Sequence, residues 1–233
     1  EPAAVLMAIG SRRQAAAVRR ARTFKLLTFF VIVSGVLALA AVGRLAVVAL
    51  AVAIVALSAW EGVRAWRRIG APRPVLVPPI ALALAAGFVA ATLRLDAPVV
   101  AWLFMCTGAF DGFSQVTGQW LGAHALAPRI SPAKTIEGVV GGFVGAVCVA
   151  VWLRDLAGYG VMTAIVLSAV ISAASMSGDL AGSWTKRRAG IKDFSALLPG
   201  QGGVIDRFNS FITAMALVGP FRSDKRFARL LKI

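Results

Sequence analysis

The run VMTAIVLSAVISAASM, residues 161–176, passes into Ser177-Gly178-Asp179-Leu180 and then into Ser183-Trp184-Thr185-Lys186-Arg187. The apolar part has the length of a bilayer-spanning helix, about 20 residues or slightly fewer. The charges that follow would each cost at least about 2.5 kcal/mol at bilayer depth, so they belong at a membrane face or in a wet cavity. Comparable runs recur at 24–42, 45–60, 75–93, 97–110, 138–153 and 208–221, and 59% of the chain is hydrophobic. None alternates apolar and polar residues as the strands of a membrane barrel do. The expected fold class is all-α: a polytopic transmembrane helical bundle with about seven spans.

The basic residues lie between these runs. Lys and Arg number 25 against 10 Asp and Glu, a formal net charge of +15. Such a balance in a soluble domain would suggest nucleic acid, but here the positive-inside bias explains it, and no nucleic acid partner is expected. With the N-terminus in the cytoplasm, Arg12, Arg13, Arg19, Arg20, Arg22 and Lys25 fall inside, as do Arg64, Arg67, Arg68 and Arg73. Only Arg44, Arg94 and Arg154 fall in the outside connections. The tail after the seventh run, with Arg222, Lys225, Arg226, Arg229 and Lys232, breaks the pattern if that run crosses. The reading places the protein in the cell (inner) membrane as a multi-pass protein whose polar clusters face the cytoplasm.

Three regions differ in character. Residues 1–23 are a basic N-terminal segment, 24–74 a transmembrane hairpin and loop without evident chemistry, and 75–233 the part where polar residues become specific. Cys106 and Cys148 sit inside apolar runs and read as small packing residues, and the single His124 lacks companions for a zinc site. No GxxxxGK[ST] or GxSxG motif occurs, so the P-loop and α/β-hydrolase readings lack their central residues.

Three polar clusters share one side. The first starts at Asp111, where an apolar run ends. The second is Arg129-Ile130-Ser131-Pro132-Ala133-Lys134-Thr135-Ile136-Glu137-Gly138, in which two prolines, Pro128 and Pro132, hold the chain extended and a helix is expected near Lys134 with Ser131 or Thr135 as its cap. Lys134 at a helix start makes an anion site. The third holds Asp179, Lys186, Arg187, Lys192, Asp193, the turn Pro199-Gly200-Gln201-Gly202-Gly203, then Asp206 and Arg207. Carboxylates at the ends of adjacent helices can share a hard divalent cation through oxygen, basic side chains can hold phosphates, and a glycine turn brings backbone N–H groups close to an anion. The chemistry indicated is phosphoryl or nucleotidyl transfer at a membrane surface.

The string Asp179-Leu180-x-x-Ser183-x-x-Lys186-Arg187-x-x-x-x-Lys192-Asp193, followed by Gly202-Gly203-x-x-Asp206-Arg207, resembles the signature of the phosphatidate cytidylyltransferases (CDP-diacylglycerol synthases). Asp111, Gly118, Gly122, His124, Ser131-Pro132, Lys134-Thr135 and Glu137-Gly138 agree with that family in type and spacing, so the resemblance covers about residues 97–221. It implies a membrane enzyme, a homodimer, that joins CTP to phosphatidic acid or a related lipid phosphate under Mg2+ and releases pyrophosphate. On that reading Asp179 and Asp206 hold the metal. Ser183, Lys186, Arg187, Lys192, Asp193 and Arg207 carry the transfer. Asp111, Ser131, Lys134, Thr135, Glu137, Gly202 and Gly203 bind substrate. The chain has Gly182, Gln201 and Asn209 where the family pattern has an acidic residue, a histidine and a second aspartate. The alternatives are a cytidylyltransferase for a polyprenyl or ether lipid phosphate, or a catalytically impaired protein that binds lipid phosphate within the membrane.

Overall fold

A computed structural model describes residues 23–24, 27–69 and 74–223. The basic N-terminal segment and the C-terminal charges from Lys225 onward, both used in the topology argument, lie outside the described residues. Eight helices and one small hairpin occur among the described residues: α1 Leu27–Val42, α2 Arg44–Arg68, α3 Val77–Arg94, α4 Ala97–Leu121, β1 Ala125–Ala127, β2 Ser131–Thr135, α5 Ile136–Trp152, α6 Arg154–Ala157, α7 Val161–Arg188 and α8 Val204–Ser223. Each of the seven apolar runs falls on a helix. By length and composition α2, α3, α4 and α7 can cross a membrane, while α1 and α5 are apolar but shorter. The protein is a multi-pass, all-α membrane bundle.

Two helices run well past their apolar stretches. The backbone hydrogen bonds of a helix are satisfied internally in lipid and in water alike, so leaving the bilayer does not end it. Helix α4 therefore carries Asp111 in its interior, not at its end, and α7 continues through Lys186 and Arg187 into its last turn. Lysine and arginine there oppose the negative end of the helix dipole.

The second polar cluster departs from expectation. Lys134 lies in β2, which pairs antiparallel with β1 through Ala125–Thr135 and Ala127–Ser131, and the helix starts two residues later. Thr135 is its cap, accepting from the Gly138 N–H at 3.1 Å, and Ser131 does not cap it. Pro128 and Pro132 favour extended backbone, which a short strand shares with a loop, so the pairing leaves no mark in the sequence.

Packing relies on small residues where helices meet closely, as in lipid, where polar–apolar partition supplies no drive. Helix α5 lays Gly138, Gly142 and Gly145 against α4. A side chain at Gly142 would collide with Ser114 and the Phe110 carbonyl, and one at Gly145 with the Phe113 ring. Helix α8 sits in the middle, against α3 and α7. An aromatic group fixes it: Phe211 meets Phe88 at 5.5 Å and Phe104 at 5.2 Å between ring centroids, both edge-on. Trp102 is fully buried and donates from Nε1 to the Ala150 carbonyl at 3.1 Å, pinning α4 to α5. The site below is built on α4, α7 and α8, which pack against one another.

Candidate functional site

Because α7 is continuous through residue 188, Asp179, Ser183 and Lys186 stand at i, i+4 and i+7 on one face. Two aspartates of the site each have their own lysine. Lys134, reaching from β2, forms an ion pair with Asp179. Lys186 forms another with Asp206 at 2.6 Å from Nζ to Oδ1. Asp111 joins them from α4: Ser210 on α8 and the charges of Asp179, Lys134 and Arg207 all bear on its carboxyl. Three helices and the hairpin thus converge on one polar centre.

Asp206 has a second occupation that the sequence did not reveal. Its Oδ2 accepts from the Phe194 N–H at 2.8 Å and the Gly203 N–H at 2.9 Å. The second bond places Asp206 as an acidic residue of the first turn reaching back to the helix start, and it ties the 191–203 loop to α8. The loop closes on itself, with Leu198 and Gly202 exchanging backbone bonds at 2.8 and 3.1 Å. Gly202 has φ +85°, and a Cβ there would come within 2.8 Å of Asp206 Oδ2. Glycine at 202 therefore serves the loop and its carboxylate together.

Glu61, read in the sequence as part of a loop without chemistry, is on α2 and fully buried. It accepts from the Val204 and Ile205 N–H groups, each at 2.9 Å, and from the Ser195 hydroxyl. An anionic side chain at the start of α8 satisfies orphan donors and favours the positive end of the dipole. Gly203 makes room for it, since a Cβ there would lie 2.6 Å from both Glu61 oxygens. Glu61→Ala is expected to lower stability by about 2–4 kcal/mol, because the buried Val204 N–H would lose its acceptor at about 1–3 kcal/mol and the partly buried Ile205 N–H at the lower end of that range. A detergent-solubilised thermal midpoint unchanged from the wild type would contradict this.

The remaining site residues divide. Thr135 caps α5, and Glu137 accepts from the Ala123 and His124 N–H groups at 3.1 and 3.2 Å and pairs with the His124 ring at 2.6 Å. The structure occupies both in holding the hairpin to α5. Arg187 donates from Nε to the Ile130 carbonyl at 3.3 Å, joining the end of α7 to the hairpin. Ser131 is half-buried in β2, and Lys192, Asp193 and Arg207 are exposed. Two of the three departures from the family pattern meet. Asn209 donates from Nδ2 to the Gly178 carbonyl, and its amide fills the space that a side chain at Gly182 would need, 2.5 Å from where a Cβ would lie.

The donor set admits a hard cation on one side of the centre. Asp179 is 40% exposed at its side chain and has Asp111 beside it. Asp206, 5% exposed, has both oxygens taken by N–H donors. No group of three or more His, Cys, Asp or Glu converges among the described residues, so a metal here would complete its shell with oxygens from substrate and water.

A family model described as the cytidylyltransferase family matches residues 80–222. The chain belongs to the cytidylyltransferase family. Phosphatidate cytidylyltransferase of Brucella abortus is 36% identical over 203 residues, covering 81% of this chain and 70% of the relative. The Haemophilus influenzae protein of that name is 36% identical over 131 residues, 52% of this chain and 44% of its own. That of Synechocystis is 39% identical over 118 residues, 49% and 40%. As a cytidylyltransferase the chain is a membrane-embedded nucleotidyltransferase. The family match contains the whole polar centre but leaves out α2, and with it Glu61.

Proposed function

We propose that the protein transfers the cytidylyl group of CTP to the phosphate of phosphatidic acid, giving CDP-diacylglycerol and pyrophosphate at the cytosolic face of the inner membrane. The observation that carries this reading is the pair of lysine–aspartate contacts, Lys134–Asp179 and Lys186–Asp206, beside Asp111 at the polar end of the bundle. Relatives named phosphatidate cytidylyltransferase support the choice of lipid.

A phosphate oxygen of the lipid attacks the α-phosphorus of CTP, and the bond from that phosphorus to the pyrophosphate oxygen breaks. The attacking oxygen is already anionic, so no strong base is required, and catalysis consists of alignment and charge stabilisation. Lys134 and Lys186, held by their aspartates, present ammonium groups to incoming phosphates. Arg187, Lys192 and Arg207 supply exposed positive charge for the departing pyrophosphate, and Ser183, with no other partner among the described residues, offers a hydroxyl between Asp179 and Lys186 on α7. Asp193 orients the basic loop. Mg2+ would be held by Asp179 with Asp111 and would neutralise triphosphate charge. Asp206 would join that shell only by releasing its donors.

Purified protein given CTP with equal phosphatidic acid and polyprenyl phosphate is expected to form the diacylglycerol product predominantly. Preferential labelling of the polyprenyl lipid would assign the alternative substrate. For orientation, a cysteine at Ala196, which is exposed in the loop, is expected to react with an impermeant maleimide only after the cytosolic face is opened. Reaction in intact cells would reverse the topology.

A further inference from the structure

A cavity of about 300 Å3 lies between α2 and the loop that reaches Asp206, with Trp60, Arg64 and Arg68 on one wall and Asp193, Phe194 and Ser195 on the other. Arg64 and Arg68 are one helical turn apart, so their guanidinium groups share a face of α2. Neither has a carboxylate partner among the described residues, where the ion pairs involve other side chains. Arg64 rests over the Trp60 ring at 4.6 Å, an arrangement that orients the guanidinium while leaving its charge uncompensated. Two cations face the single carboxylate of Asp193, and the net positive cavity suits a phosphate, which arginine binds through paired N–H donors.

The position of the cavity favours a lipid as the source of that phosphate. Helix α2 is apolar from Leu45 to Ala59, meets Trp60, and then turns basic at Arg64, Arg67 and Arg68. Tryptophan followed by arginine marks the level at which a helix leaves hydrocarbon for headgroups, so the cavity lies where phospholipid phosphates are concentrated. The wall opposite is also connected to the catalytic centre. Phe194 donates its N–H to Asp206 and Ser195 its hydroxyl to Glu61, so anything that fills the cavity braces the loop that positions Asp206.

We propose that this cavity is an accessory anionic-lipid site, in which the headgroup phosphate of a glycerophospholipid sits between Arg64 and Arg68 and steadies the 191–203 loop. The bound lipid is not consumed, so the site stands whether or not phosphatidic acid is the substrate.

The test uses the full chain in neutral detergent micelles and takes phosphatidylglycerol as the probe, since its phosphodiester is not the phosphate monoester that accepts the cytidylyl group in the proposed reaction. Thermal midpoints are followed during titration with phosphatidylglycerol, phosphatidylcholine, or inorganic phosphate at matched ionic strength. Phosphatidylglycerol is expected to raise the midpoint of the wild type. The Arg64→Gln/Arg68→Gln variant should need at least about tenfold more lipid for the same shift, as expected from loss of about 1.4 kcal/mol of binding. Arg64→Lys/Arg68→Lys, which keeps the charge and so the fold of this surface, should fall between them. Arg67→Gln, on the same helix but not lining the cavity, should titrate like the wild type. Identical titrations for wild type and both double variants would overturn the site. An equal loss in Arg67→Gln would reduce it to general surface charge. Equal protection by phosphatidylcholine, or arginine-dependent protection by inorganic phosphate alone, would overturn the lipid assignment.

Discussion

Asp206→Asn is expected to lose about 100-fold or more in turnover and, unlike most active-site substitutions, to unfold at a clearly lower temperature. The carboxylate is 5% exposed and holds three groups at once: the Lys186 ammonium at 2.6 Å and the Phe194 and Gly203 N–H groups at 2.8 and 2.9 Å. Asparagine keeps one acceptor oxygen and brings an NH2 group that faces donors. Lys186, 19% exposed, is left without its counter-charge, and breaking a largely buried pair from one side costs about 3 kcal/mol or more. Loss of the loop contact adds to the defect, because Phe194 is no longer drawn to α8. Turnover by the stoichiometric appearance of CDP-lipid and thermal unfolding in detergent report the two effects separately. A variant with wild-type stability would show that Asp206 does not anchor the loop.

Asp179→Asn is expected to be as inactive but nearly as stable as the wild type. Its side chain is 40% exposed and its partner Lys134 is 21% exposed, and ion pairs open to water contribute about 1 kcal/mol or less. What is lost is functional: an oxygen donor for the cation next to Asp111, and the counter-charge that holds Lys134 toward the phosphates. Turnover is expected to fall about 100- to 1,000-fold, with no recovery at high Mg2+ if both roles fail together. Wild-type turnover at limiting Mg2+ would remove Asp179 from the centre. The contrast between the two aspartates is itself diagnostic, since a simple shared-metal model predicts the same stability for both variants.

That contrast marks where sequence reading ended. Asp179, Ser183 and Lys186 were legible as members of one polar cluster beyond an apolar run, but their place on one face followed only from α7 continuing to Arg188. A cap at Ser131 or Thr135 could also be read locally, because a cap needs no distant partner, and Thr135 fills it, whereas Lys134 lies in β2 and not at the helix start. The pairing of aspartates with lysines could not, since Lys186 and Asp206 are 20 residues apart and Lys134 and Asp179 still farther. Nothing in a residue's type says whether a carboxylate will meet a metal or an ammonium. Glu61 was the largest omission. It stands in Trp60-Glu61-Gly62-Val63-Arg64, which has the look of a solvated stretch, and its partners lie 134 to 144 residues away. The one local hint was periodic: Glu61 and Ala65 continue the face of Ala51 and Ile54 at helical spacing, so the helix did not have to end at Trp60. The helix ends misjudged elsewhere have the same cause. Apolar content reports where hydrocarbon stops, whereas the backbone of α4 and α7 continues in helix beyond it.

The fate of a labelled α-phosphate tests the account most directly. Purified protein is incubated with phosphatidic acid, Mg2+ and CTP labelled at either the α- or the γ-phosphate, and the products are partitioned between organic and aqueous phases. Cytidylyl transfer predicts α-label in the lipid phase in a one-to-one ratio with released pyrophosphate, and γ-label in pyrophosphate alone. Both should be lost in Asp179→Asn. Label entering lipid from the γ-position would make the protein a lipid kinase. Absence of lipid label from either position, in folded protein supplied with phosphatidic acid, would contradict nucleotidyl transfer to this lipid by the centre described.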